Sequence, residues 1–83
     1  NRKQRINKIL KNKYQDFTLE IIDNSHLHLG HNNFDGKNET HLKIILKNNS
    51  FQQINRLEIH KTINDLIKTE FQNGLHSLEI KIN

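Results

Sequence analysis

The sequence predicts an α+β domain in which helix, strand, strand, helix and strand follow one another. Three observations carry that expectation. An apolar stripe at helical spacing opens the chain, three later segments alternate apolar and polar residues as strands do, and a second helical stripe, closed by Gly74, separates the last two of them. The economical arrangement of these pieces is a three-stranded mixed sheet with the helices packed on one face.

The first helix is expected over about residues 2–14, because Ile6, Ile9, Leu10 and Tyr14 fall at i, i+3, i+4 and i+8. A strand is expected over 17–24, where "FTLEIIDN" alternates Leu19 and Ile21 with polar Glu20, Ile22 being the exception. Residues 25–38 are polar and turn-like, with Gly30, "NN" and "DG". The second strand, 40–47, places Leu42, Ile44 and Leu46 on one face and His41, Lys43, Ile45 and Lys47 on the other. A second helix starts near Asn55, whose spacing to Glu58 matches a capping box, and Ser50 with Gln53 suggests a short turn before it. Ile59, Ile63, Leu66, Ile67 and Phe71 are expected on its buried side, with Gly74 in the left-handed position after its last turn and Leu75 packing back. The final strand is "LHSLEIKI", in which His76, Leu78, Ile80 and Ile82 share a face. The first two strands form an antiparallel pair. The second strand, second helix and third strand form a right-handed βαβ crossover, which makes the second and third strands parallel.

Eighty-three residues allow one domain, 1–83, with a modest core. Apolar residues make up 33% and charged residues 27%; that is polar for a folded domain, but the apolar residues are too strongly patterned for disorder. The formal charge is +4 and the pI about 9.6, a balance that suits nucleic acid, anionic lipid or an acidic partner. Lys and Arg are interspersed with Glu and Asp, however, and the densest run, "NRKQRINKILKNK", reads first as a solvated helix face. The absence of cysteine excludes disulfides and thiolate chemistry from this chain. No apolar run has the length of a membrane span. The chain opens on Asn rather than Met and shows no signal or transit peptide, which leaves its targeting open.

The chemistry concentrates in "SHLHLGH", which holds His26, His28 and His31. The parallel pairing brings the start of the third strand to the edge where this segment enters the second, so His76 is expected beside it. His28 and His31 can converge around Gly30; His26 and His28 converge only on extended backbone. On spacing alone a solvated loop with incidental histidines remains as good a reading as a metal site. Two or three imidazoles without cysteine are short of the four ligands of a closed zinc site, which points to completion by another molecule. His41 is near this edge but on the outer side, and His60, flanking the Ile63–Ile67 stripe at the opposite end of the sheet, is assigned to packing. There is no Gly-rich phosphate loop and no nucleophile paired with a base, and Glu20, Asp23, Glu39 and Glu70 read as surface charge. The chain is not expected to be an enzyme.

In order along the chain, "LEIIDNSHLHLGH", "ETHLKIIL", a Phe, the histidine of "IHKTINDLI" and "EFQNGLHSLEI" resemble the BolA-like protein family, from Arg5 to Ile82. The D-x-S-H-x-H-x-G-H, E-T-H and G-x-H-[AS]-L patterns carry the resemblance. It implies an αββαβ fold akin to class II KH domains. It also implies a partner, a monothiol glutaredoxin, with which such proteins share a 2Fe-2S cluster and act in iron–sulfur assembly, cluster transfer and iron homeostasis. The glutaredoxin supplies its Cys thiolate and a bound glutathione thiolate; the BolA side supplies the histidine opening the last strand, here His76, and a residue of the variable loop, here His28 or His31. Histidine ligation of one iron raises the potential relative to an all-Cys cluster. The partner-binding residues implied are Ser25, His28, Gly30, His31, His41, Gly74 and His76, and the chain alone is expected to be a monomer without a cluster, in a mitochondrial or cytoplasmic setting. One departure is Ile59-His60-Lys61, where the family usually has Arg-His-Arg. The alternative, a KH-like nucleic-acid-binding transcriptional regulator, is supported by the charge but opposed by the lack of a G-x-x-G loop and by only 6% aromatic residues.

Overall fold

A computed structural model describes residues 1–25 and 39–83. The elements are α1 (Arg2–Lys13), β1 (Phe17–Asp23), β2 (His41–Asn48), α2 (Arg56–Leu66), α3 (Lys68–Gln72) and β3 (Ser77–Ile82). The strands lie in the order β1-β2-β3. β1 runs antiparallel to β2, with Ile21 opposite Ile44, and β3 runs parallel to β2, with Ile80 opposite Ile44. The mixed sheet and its pairing are as the alternation predicted.

One face of the sheet is apolar. Ile21 from β1, Leu42, Ile44 and Leu46 from β2, and Ile82 from β3 are buried there against Ile6 and Leu10 of α1 and Ile59 and Ile63 of α2. Lys43 on the opposite face lies 3.9 Å from Glu79 of β3, a solvent-facing pair of small energetic weight. α1 begins with a full capping box: Asn1 accepts from the Gln4 backbone, and the Gln4 side chain reaches back to Asn1. Asn55 caps α2 by accepting the Glu58 N–H at 3.1 Å. The turn between β2 and α2 is built on Asn48, whose side chain accepts both the N–H and the hydroxyl of Ser50, and Gln52 rather than Gln53 donates back to Ser50.

The second helix departs from expectation. It is two segments, joined at Ile67, which ends α2 and begins α3 with φ −108° and ψ 18°. Leu66 and Phe71, expected inside, are exposed at 38% and 37%, whereas Glu70, expected on the surface, is 7% exposed. The reason is angular. Position 70 lies seven residues from Ile63 and so nearly on its meridian, while 66 and 71 fall to either side. What makes an inward carboxylate tolerable is α1. Arg5 donates through Nε and Nη2 to Glu70 at 2.8 and 2.9 Å, and Arg2 through Nε at 3.1 Å. Arg2 also donates to the carbonyls of Glu39 and Asn73, both at 2.6 Å.

Gly74 closes α3 with φ +116°, and the Leu75 N–H reaches back to the Glu70 carbonyl at 2.9 Å, the long bond of a Schellman ending. A Cβ at position 74 would meet Arg2 Nη2 at 3.0 Å. Gly74→Ala therefore strains the backbone and pushes on Arg2 together. Urea denaturation is expected to show a loss of about 1–3 kcal/mol with an unchanged denaturant slope.

Candidate binding edge

The end of β1, the start of β2 and the start of β3 meet at one edge of the sheet. A hydrogen-bonded ladder of short side chains ties them. Asp23 accepts the Ser25 N–H at 2.9 Å and the Glu39 N–H at 3.2 Å, and the Ser25 hydroxyl donates to the same carboxylate. Ser25 Oγ in turn accepts the Thr40 N–H at 2.9 Å, and the Asn24 N–H donates to the His41 carbonyl at 2.8 Å. Ser25 and Thr40 are both buried. Ser25 and Glu39 are thus both fastened to this edge. His26, His28, Gly30 and His31 lie outside the described residues.

Thr40 also fixes the third strand. Its carbonyl accepts the N–H groups of His76 and Ser77 at 2.8 and 3.1 Å. His76 therefore stands one residue before β3, outside its alternation. Leu78, Ile80 and Ile82 share the inner face as expected, but His76 does not join them: it is exposed, and its ring meets His41 edge to face, with centroids 5.7 Å apart and planes at 70°. The His41 side chain, expected merely near this edge, is half-buried and sits against His76. Its Nδ1 lies 2.9 Å from the Thr40 hydroxyl, and the two share a hydrogen bond.

Of the other residues singled out by sequence, Ser25 is placed inward and its hydroxyl serves the chain itself. Gly74 ends α3 two residues before His76. His60 is half-buried on α2, away from the histidine pair. Glu39 and Asp23, read as surface charge, are structural: Glu39 has φ 65°, its carboxylate accepts the Lys3 N–H at 2.8 Å, and its carbonyl holds Arg2. The N-terminal basic run is likewise partly structural, since Arg2 and Arg5 are committed to Glu70. Among the described residues no group of three or more His, Cys, Asp or Glu side chains gathers as a metal centre.

Among the described residues these features make a small α+β domain with two imidazoles, His76 exposed and His41 half-buried, in contact at a braced sheet edge. The chain belongs to the BolA-like protein family, whose sequence profile matches residues 10–83. It is 38% identical over 77 residues to a Sinorhizobium protein known as "Uncharacterized protein in cobS 5'region", covering 92% of this chain and 83% of that protein. It is 30% identical over 82 residues to the chloroplastic protein BOLA1 of Arabidopsis thaliana, covering 96% of this chain and 51% of BOLA1, so it spans about half of that relative. Among solved structures, the BolA domain of SufE1 from Arabidopsis thaliana superposes with a TM-score of 0.76 at 31% identity, covering 96% of this chain and 87% of that one. BolA1 from the same plant gives 0.77 at 27% identity, covering 99% and 89%.

Proposed function

We propose that this chain is an adaptor that pairs with a monothiol glutaredoxin carrying glutathione, and that the two hold between them a 2Fe-2S cluster destined for assembly or transfer. The observation that carries this reading is His76, an exposed imidazole at the edge where both ends of the histidine-rich segment are fastened. The donor set fits a shared cluster. Imidazole is a sound iron ligand, and the thiolates that this cysteine-free chain lacks are those a glutaredoxin and glutathione bring. His76 would bind from this side together with His28 or His31. When bound, the cluster is cargo that the pair hands on. The chain's own residues present the imidazole: Thr40 fixes the His76 backbone, and Asp23 and Ser25 fix Thr40.

The test is anaerobic mixing with cluster-loaded, glutathione-bound monothiol glutaredoxin, followed by visible circular dichroism. The chain is expected to convert the glutaredoxin signal to that of a heterodimer, and His76→Ala to reduce that conversion about tenfold or more. A heterodimer spectrum that His76→Ala leaves unchanged would sink the assignment.

A further inference from the structure

Thr40 is the joint of the binding edge. Its N–H is held by Ser25 Oγ, its carbonyl takes the His76 and Ser77 N–H groups, and its hydroxyl shares a 2.9 Å hydrogen bond with His41 Nδ1. One buried residue therefore sets the His76 backbone and the His41 ring together. The two rings then meet edge to face at 5.7 Å. An exposed imidazole just before a strand would otherwise keep its rotamer freedom, which any binding event has to remove. A flat ring fixed beside it removes that freedom in advance.

We propose that His41 is a positioning residue: braced by Thr40, its ring holds the His76 imidazole in the orientation in which it binds. The proposal rests on the reading of His76 as the residue that binds with the partner, and it deepens that reading. Its consequence for the free chain is independent of any cluster. No net charge on His41 is required, only its planar edge and its bond to Thr40.

Three-bond couplings to the His76 side chain, measured by NMR in the isotopically labelled chain alone, report its rotamer. The wild type is expected to show one dominant rotamer. His41→Ala is expected to show averaged values for His76 while the amide spectrum keeps its native dispersion. Thr40→Val, which keeps the backbone bonds and deletes the hydroxyl, is expected to loosen His76 in the same direction, and it serves as the test should His41→Ala not fold. His41→Phe, which restores a flat ring, is expected to recover part of the ordering. With cluster-loaded glutaredoxin, His41→Ala is expected to raise the protein concentration needed for half conversion about 3- to 10-fold, with the heterodimer spectrum retained. Averaged His76 couplings already in the wild type, or couplings that the folded variants leave unchanged, would overturn the proposal. Couplings that change as expected while the wild type forms no cluster-bearing heterodimer would uphold the positioning role and overturn the cluster reading alone.

Discussion

Ile44→Ala is expected to cost about 3–4 kcal/mol, measured by urea denaturation, and to leave a population of unfolded chain detectable without denaturant. Ile44 is 0% exposed at the centre of the middle strand. It lies between Ile21 on one side and Ile80 on the other and belongs to the same core as Ile6, Leu10 and Ile63. Residues of both long helices and all three strands share this core, so the cavity left by truncation is expected to stay largely open. A chain of this length has only on the order of 4–12 kcal/mol to lose. Ile44→Val, which removes one methylene and keeps the β-branched side chain, is expected to cost about 1 kcal/mol.

Glu70→Gln is expected to lower stability at neutral pH by about 2–3 kcal/mol and to flatten its decline in acid. Glu70 is nearly buried and accepts three hydrogen bonds from Arg2 and Arg5. The bonds from Arg5 hold its carboxyl below the ordinary carboxylate range, against the opposing effect of burial, with Arg2 adding in the same direction. A folded-state value below the unfolded one means that the stabilisation is complete above the ordinary carboxylate range. It is lost as pH falls through the depressed value. Glutamine keeps the shape and cannot titrate, so the variant's stability should approach that of the wild type at low pH. Arg5 is half exposed, so solvent screens part of its share of the cost, while the nearly buried Arg2 keeps its bonds to the Glu39 and Asn73 carbonyls but loses its counter-charge. Thermal melts of both proteins across the acid range, read as a difference, test the sign. A difference that grows as pH falls would refute it.

The strands were legible because the alternation of Leu42, Ile44 and Leu46 has one reading, and the crossover then dictated that β3 lie parallel to β2. Gly74 was legible because only a left-handed position uses it so well. The break at Ile67 was not, since no Gly or Pro marks it and the apolar spacing runs straight through. Glu70 was hidden by its own charge. Counting seven residues from Ile63 places it inward, and Arg2 and Arg5, one turn apart on α1, were the signal that a carboxylate inside could be paired. At the candidate edge, sequence placed His76 where the end of β1 and the start of β2 meet, but strand parity put it on the face of Leu78, whereas it is exposed against His41. The doubled acceptance by the Thr40 carbonyl, which delays the strand by one residue and delivers His76 to His41, is a backbone event with no residue signature.

The bond from Arg2 to Glu70 joins positions 68 residues apart, and those from Arg5 join positions 65 apart. Closing a span of that length costs chain entropy that local contacts must first offset, so these bonds are expected to form after the β2–α2–β3 crossover has collapsed. Interactions absent from the folding transition state govern how slowly the native chain opens, not how quickly it forms. The clasp between the first helix and α3 is therefore expected to slow the opening of the native chain more than it speeds its formation.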